Sequence, residues 1–143
     1  MLYRQKTGPI EVRVRPIYSR KHSAPQTGLY IWEYEIQVEN QSTVPLQLMN
    51  RYWKVRNANG EEEKISGAGV IGLRPIIQPG QIFQYTSYTR LNTPRGEMLG
   101  HYEMKGATEE TFFVRIPKFT LAYPVQLIHT FGPQNDGPKP TSI

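Results

Sequence analysis

The amino-acid sequence predicts an all-β fold, a sandwich of two antiparallel sheets with about seven to eight strands. Twelve proline and twelve glycine residues interrupt the 143-residue chain too often for a long helix. Segments that alternate apolar and polar residues recur about every ten residues instead, as they do in β-sandwiches. The length suits one domain of ordinary size. We expect this domain to span residues 1–131 and a flexible tail to follow at 132–143.

The first predicted strand runs from Ile10 to Tyr18 and alternates apolar with charged residues. Pro16 cannot donate a ladder hydrogen bond, so we expect the strand to lie at a sheet edge or to bend there. Residues 1–21 carry six basic residues and one acidic residue, which accounts for the whole formal net charge of +5. The favoured interpretation is a solvated edge strand whose charges discourage aggregation. The alternative is a basic stripe that attracts phosphates.

The clearest predicted strand runs from Tyr30 to Asn40, where apolar and polar residues alternate without a break. One face holds Tyr30, Trp32, Tyr34, Ile36 and Val38, and the other holds Ile31, Glu33, Glu35, Gln37 and Glu39. This pattern is typical of an antiparallel strand with one face in the core. A turn over residues 40–43 follows.

The third predicted strand, Leu46 to Asn57, changes its apolar phase partway along. A one-residue bulge near residues 49–51 would restore the alternation. Asn57 to Gly60 then forms a hairpin turn, in which Asn59 and Gly60 suit positive φ. The three glutamates at 61–63 are expected to form a solvated hairpin arm.

The later strands are predicted from shorter alternating runs: Gln81–Thr89, His101–Lys105 and Thr111–Ile116. The last two form a hairpin across residues 106–110, and Pro117 is expected to end it. Phe119 to Ile128 is either a final strand or a short terminal turn.

The segment from Gly67 to Gly72 matches the pattern G-x-G-x-x-G. A dinucleotide site needs this pattern between a strand and a helix, but Leu73-Arg74-Pro75 follows and no βαβ unit surrounds it. Two interpretations remain open. The glycine loop is either an anion-binding nest of backbone amides, with charge from Arg51, Arg56 or Arg74, or a tight crossover between the sheets with Val70 and Ile71 in the core. The crossover is favoured.

Several motifs in order resemble one family. GAGVIGLRPIIQPG at residues 67–80 resembles the central motif of the ApaG family. The flanking segments that also resemble it are Asn50–Trp53, Tyr85–Ser87, TPRGEMLGHYEM at 93–104 and IPKFTLAYP at 116–124. The resemblance spans residues 8–130. The family often has a histidine in place of Tyr52, so a candidate metal ligand is missing here. The family often has a glycine in place of Tyr88, so a bulky ring stands where a turn near residues 87–89 would be expected.

The resemblance implies an immunoglobulin-like or fibronectin-III-like sandwich. Bacterial members are linked to cobalt tolerance and magnesium efflux, and eukaryotic relatives carry the domain in F-box proteins and in a polymerase-interacting protein, where it is thought to mediate protein contacts. The family's glycine loop has been suggested to bind nucleotide or pyrophosphate. That suggestion carries over here to Gly67, Gly69 and Gly72.

Residue types exclude several functions. There is no cysteine, and His22, His101 and His129 lack the spacing of a metal site. The single aspartate, Asp136, falls in the predicted tail, so no catalytic constellation is apparent and we expect neither an enzyme nor a cofactor. Residues 51–56 interleave basic and aromatic side chains, but their alternation places Trp53 in the core, which argues against a nucleic-acid partner.

The predicted function is therefore a non-enzymatic binding module with a protein partner. The partner would meet the loop surface at residues 67–75 and 90–100 or a sheet edge, and an edge also suits a homodimer. The alternative is binding of a small anion, nucleotide or pyrophosphate, at residues 67–72, with Gly67, Gly69, Gly72, Arg51 and Arg74 as candidate ligands. No signal peptide or membrane segment is apparent in the sequence, so a cytoplasmic location without a membrane partner is expected.

Overall fold

A computed structural model describes residues 1–124 as two packed antiparallel sheets. The strands are β1 Tyr3–Thr7, β2 Ile10–Tyr18, β3 Tyr30–Asn40, β4 Leu46–Asn57, β5 Glu62–Ala68, β6 Ile76–Ile77, β7 Ile82–Leu91, β8 Arg95–Lys105 and β9 Thr111–Ala122. The predicted tail, and the predicted end of the domain at residue 131, lie outside the described residues.

The first sheet has the strand order β1-β2-β3-β7 and the second has the order β5-β4-β8-β9. The two-residue strand β6 pairs with the start of β4. The only helical turn in residues 1–124 is a 3-10 turn at Pro25–Thr27. The predicted fold class, an all-β, immunoglobulin-like sandwich of two antiparallel sheets, is confirmed.

Three predicted strands have the observed bounds: Ile10–Tyr18, Tyr30–Asn40 and Leu46–Asn57. In β3 the five predicted core side chains are all buried. In β4 the pairing with β8 shifts between Leu48 and Asn50, which confirms the predicted bulge and assigns it to Met49. The hairpin turn after β4 has positive φ at Gly60 and not at Asn59.

The edge position predicted for the Ile10–Tyr18 strand is only partly right. A further strand, β1, pairs with residues 10–14 of β2 and forms the sheet edge instead. Only the end of β2, where Pro16 lies, has β3 as its sole neighbour. β1 was missed because its sequence, YRQKT, offers a single large apolar side chain, Tyr3.

The last two strands are longer than predicted. β8 begins at Arg95 rather than His101, and β9 continues through Pro117 to Ala122. The β8–β9 register shifts between Met98 and Gly100, which pair with Phe119 and Ile116. Pro117 lies in this irregular stretch, so its missing N–H interrupts no regular ladder. Phe119 therefore belongs to β9, and residues 125–128 of the predicted last element lie outside the described part.

The core between the sheets is rich in aromatic side chains. Tyr34 of β3 packs edge-on against Trp53 of β4, with ring centroids 5.3 Å apart, and Trp53 packs against Phe119 at 6.0 Å. The hydroxyl groups of Tyr85 in β7 and Tyr102 in β8 share a hydrogen bond of 2.5 Å. Because the two tyrosines belong to different sheets, this bond ties the layers together.

One side of the sandwich is closed by the first and last strands. The Thr120 amide donates to the Tyr3 hydroxyl at 3.3 Å, and the Arg115 amide donates to Thr7 Oγ1 at 3.1 Å. Thus β1 covers the outer edge of β9. The outer strands on the opposite side, β7 and β5, each pair with one neighbour and form an open side.

The N-terminal positive charge is paired within the first sheet. The Arg13 guanidinium lies 2.9 Å from carboxylate oxygens of both Glu11 and Glu39. Arg15 contacts Glu35 of the neighbouring strand β3 at 2.6 Å. The basic residues that dominate the start of the sequence therefore do not present a free stripe along β2.

Candidate functional site

The glycine loop interrupts one edge of the second sheet. β5 pairs with residues 50–56 of β4 and β6 pairs with residues 46–47, so both follow the same edge of that strand. The chain leaves this edge at residues 69–75, beside the bulge at Met49, and then returns to it. The predicted crossover is therefore wrong for the loop, because the chain passes to the first sheet only after Ile77.

Residues 69–73 form a tight turn that we call the glycine hairpin. Val70 and Leu73 exchange two backbone hydrogen bonds of 2.8 Å. The two residues between them, Ile71 and Gly72, have φ angles of 43° and 79°, as in a type I′ turn. Val70 is 1% exposed, as predicted, but Ile71 is 55% exposed because the two-residue turn places it at the tip.

Two glycines of the loop allow close approaches. Gly69 has a φ of 62°, and a Cβ there would overlap the Leu73 carbonyl oxygen. Its amide donates to the Met49 carbonyl oxygen at 2.8 Å. At Gly67 a Cβ would come within 2.9 Å of the Arg51 guanidinium. The absence of a side chain there leaves room for this guanidinium.

Arg51 and Arg74 attach the hairpin to the bulge. The Arg51 Nη1 group donates to the carbonyl oxygens of Ala68 at 3.1 Å and Gly69 at 3.0 Å. The Arg74 Nε group donates to the Met49 carbonyl oxygen at 3.0 Å. Hydrogen bonds from charged donors are among the stronger ones in proteins. These contacts join the loop to the bulge at Met49.

The structure brings four of the five candidate anion ligands together around the bulge: Gly67, Gly69, Arg51 and Arg74. Gly72 lies at the tip of the hairpin. Arg56 lies apart and pairs with Glu62 and Glu97. The amides of Gly69, Val70 and Leu73 already donate to backbone carbonyls. Anion binding at this loop stays a prediction.

Three exposed aliphatic side chains lie on the hairpin or just after it, and we call them the apolar rim. They are Ile71 (55% exposed), Leu73 (50%) and Ile76 (57%). Sequence reasoning placed Ile71 in the core and did not single out the other two. The missed signal is an isoleucine before the glycine of a two-residue turn, where asparagine is the usual residue.

Other polar groups lie away from this loop. His101 stacks on Tyr52 with ring centroids 4.7 Å apart, and His22 Nδ1 lies 3.0 Å from Ser19 Oγ. Among residues 1–124 no group of three His, Cys, Asp or Glu side chains is placed to hold a metal ion. No helix there is long and apolar enough to cross a membrane.

These features define a class of protein: over residues 1–124, a β-sandwich with a glycine hairpin clamped to a sheet edge by two arginines. Residues 20–106 match the family model of the ApaG domain, also called DUF525. The chain belongs to the ApaG family. This confirms the resemblance inferred from the sequence motifs.

Individual relatives agree with this assignment. The chain is 45% identical to Protein ApaG of Allorhizobium ampelinum over 123 residues, which cover 86% of this chain and 95% of the relative. Its identity to Protein ApaG of Sinorhizobium fredii is 43% over the same shares. It also resembles the crystal structure of an ApaA protein from Bordetella pertussis, with a TM-score of 0.79 and 33% identity over 82% of this chain and 95% of that one.

Proposed function

We propose that this chain is a non-enzymatic binding module that holds a protein partner through the apolar rim. The observation that carries the proposal is Ile71, a β-branched residue that combines 55% exposure with a φ of 43°. Such backbone conformations cost about 1–3 kcal/mol, and leaving an isoleucine in water forgoes a further ~1.5–3 kcal/mol of burial. A partner that covers the Ile71 side chain recovers this burial free energy.

The scaffold behind the rim supports the proposal. Arg51 and Arg74 fix the hairpin, and the buried side chain of Val70 anchors its base. A binding surface that is already ordered loses little conformational entropy when it meets a partner. Leu73 and Ile76 extend the apolar surface on the same short segment.

The test is Ile71→Asn, because asparagine suits positive φ and is polar. We expect this substitution to raise the free energy of unfolding by about 1 kcal/mol through relief of backbone strain. We expect it also to abolish capture of the partner in cross-linking of lysate from the source organism. Tyr88→Thr is the matched control, since Tyr88 is a 70% exposed apolar residue of β7 outside the rim.

A second copy of the chain, packed rim against rim, is the simplest protein partner; a dimer through the open edge of β5 or β7 would not depend on Ile71. Sedimentation velocity separates this case: a dimer that Ile71→Asn converts to a monomer identifies the partner as the chain itself. If Ile71→Asn captures the same proteins in the same amounts as the unaltered chain, the rim is not the binding surface. In that case the cobalt tolerance and magnesium efflux to which the family is linked would not depend on a protein contact at the apolar rim.

The glycine loop also carries the second candidate, anion binding. In residues 1–124 the amides of Ile71 and Gly72 make no intramolecular hydrogen bond, and the exposed Arg74 side chain lies nearby. Titration with pyrophosphate, ATP and diadenosine polyphosphates should then shift the backbone amide resonances of residues 67–72. Unchanged resonances at millimolar ligand would rule this candidate out.

A further inference from the structure

The outer face of the second sheet carries a row of aromatic rings. Tyr52 of β4 lies opposite Ser66 of β5 on one side and His101 of β8 on the other. The rings of Tyr52 and His101 stack, with centroids 4.7 Å apart and planes 20° apart. Phe113 of β9 packs edge-on against His101 at 5.1 Å and is 58% exposed. Ser66 has a side chain too small to cover the other face of the Tyr52 ring, and both residues line the same surface groove.

Basic side chains near this row of rings outnumber the acidic ones. Lys54 lies directly opposite Lys64 in the β4–β5 pair. Like charges at such positions destabilise a sheet. Neither lysine has an ion-pair partner within 4 Å among residues 1–124, whereas Arg13 and Arg15 in the first sheet are paired. Arg115 and Lys118 of β9 add charge, and Lys118 reaches Glu97 only at 3.9 Å.

The rings and the cations line one groove. Its volume is about 1020 Å³, and its walls come from β5, β4, β8 and β9, with Gln5 and Thr7 of β1 at one end. Lys54 and Lys64 lie on one side of Tyr52, and Arg115 lies beyond His101. An extended ligand along the groove would meet rings and positive charge together.

We propose that this groove binds single-stranded nucleic acid. Bases would stack on the open face of Tyr52 and on Phe113, and phosphates would lie against Lys54, Lys64, Arg115 and Lys118. Single-strand binding sites combine aromatic platforms with a positively charged groove in this way. The site uses a different surface from the apolar rim and goes beyond the proposed protein-binding function.

The sequence expectation against nucleic acid depended on the core position of Trp53, and the structure confirms that position. The opposite face of the same strand presents Tyr52 and Lys54. Their partners come from β5, β8 and β9, which lie far away in sequence, so the spacing within residues 51–56 did not show them. An acidic protein segment would neutralise the lysines but would leave the open face of Tyr52 unused, and this favours nucleic acid.

The test is fluorescence anisotropy of a labelled 15-nucleotide oligo(dT) titrated with the full chain. We expect saturable binding that weakens with salt, with a slope of log K against log salt near −3 for about four phosphate contacts. Tyr52→Ser is expected to weaken binding about tenfold through lost stacking.

Lys64→Glu is the second variant. It replaces a repelling pair by an attracting one across β4 and β5, so the fold is expected to persist while the affinity for the oligonucleotide falls about tenfold. Lys21→Glu is the matched control because Lys21 is an exposed cation in a loop of the first sheet. We expect it to change the affinity less than twofold.

Three results would overturn the proposal. The first is absence of binding at 50 mM salt. The second is an equal loss with Lys21→Glu and Lys64→Glu, which would reduce the effect to net charge. The third is unchanged affinity in Tyr52→Ser together with equal competition by poly-glutamate, which would identify an acidic-protein site. Ile71→Asn leaves this groove intact, so it should bind the oligonucleotide normally even where partner capture is lost.

Discussion

At the scale of single residues, Gly69 and Gly72 resemble each other in backbone conformation and differ in their surroundings. Their φ angles are 62° and 79°, in the left-handed region that favours glycine. A Cβ on Gly69 would overlap the Leu73 carbonyl oxygen, whereas a Cβ on Gly72 would meet nothing within 4 Å. The two positions therefore separate the effect of conformation from the effect of steric overlap.

We expect Gly72→Ala to lower the free energy of unfolding by about 1–2 kcal/mol, the usual cost of left-handed backbone for an L-residue. Gly69→Ala carries the same cost and also forces the hairpin apart, so its effect should be at least ~2 kcal/mol larger. Urea denaturation of the two variants measures the difference. Equal losses would show that the hairpin adjusts freely at Gly69.

The sequence identified the glycines and both arginines of this loop but not their roles. Alternation and turn preferences report on neighbours along the chain. The Arg51 guanidinium binds the carbonyl oxygens of residues 68 and 69, and this contact depends on the β4–β5 register. Ile71 was assigned to the core because an apolar residue type gives no sign that the backbone turns outward there.

At the scale of strands, the Tyr85–Tyr102 hydrogen bond joins β7 of one sheet to β8 of the other. Tyr102 is fully buried and Tyr85 is 6% exposed. A buried hydroxyl without a partner costs about 1–3 kcal/mol, whereas removal of both partners is much less costly. The pair therefore favours the observed alignment of the two sheets and also stabilises the fold.

Tyr85→Phe and Tyr102→Phe are each expected to lower the free energy of unfolding by about 1–3 kcal/mol. The double substitution should lose less than the sum of the two, with an interaction energy of about 1 kcal/mol or more. Chemical denaturation of the four proteins completes the cycle. Tyr88→Phe, which removes the hydroxyl of a 70% exposed residue, serves as the control. Strictly additive losses would contradict the inter-sheet role.

Strand prediction succeeded where one face of a strand is fully buried, as in β3, because alternation then follows directly from burial. It failed where the pattern is broken by tertiary structure. β1 is a largely polar edge strand, and β8 contains Gly96 and Gly100, where a Cβ atom would overlap the carbonyl oxygens of Arg56 and Tyr52 in β4. Residues 90–100 were expected to belong to a loop surface, but from Arg95 onward they form part of β8, where the two glycines allow close strand packing.

At the scale of the whole molecule, the buried hydroxyls make stability depend on pH at the alkaline end. Burial raises the pKa of Tyr34, Tyr85 and Tyr102 above 10, the ordinary value. In the unfolded chain these tyrosines ionise near pH 10, while the folded chain keeps their protons. Below pH 10 both states are protonated and stability is unaffected. Above it the unfolded state loses protons first, so stability falls.

We expect the free energy of unfolding to fall by about 3 kcal/mol per pH unit above pH ~10.5, because the folded chain keeps the protons of Tyr85 and Tyr102 well above that pH and each contributes about 1.4 kcal/mol per unit. Urea denaturation at a series of pH values measures the slope. Tyr102→Phe should reduce it by roughly half. A stability that stays constant to pH 11.5 would contradict the burial of these hydroxyls.

The seam between β1 and β9 has a consequence for how the chain reaches its fold. The two hydrogen bonds that close it join residues 108 and 117 positions apart in sequence. A ribosome delivers β1 before β9, and nearly the entire described chain separates the two strands. Contacts of such long sequence separation form slowly. During synthesis the uncovered edge of the nascent first sheet is therefore exposed to other chains, and chaperone binding at this stage would protect it.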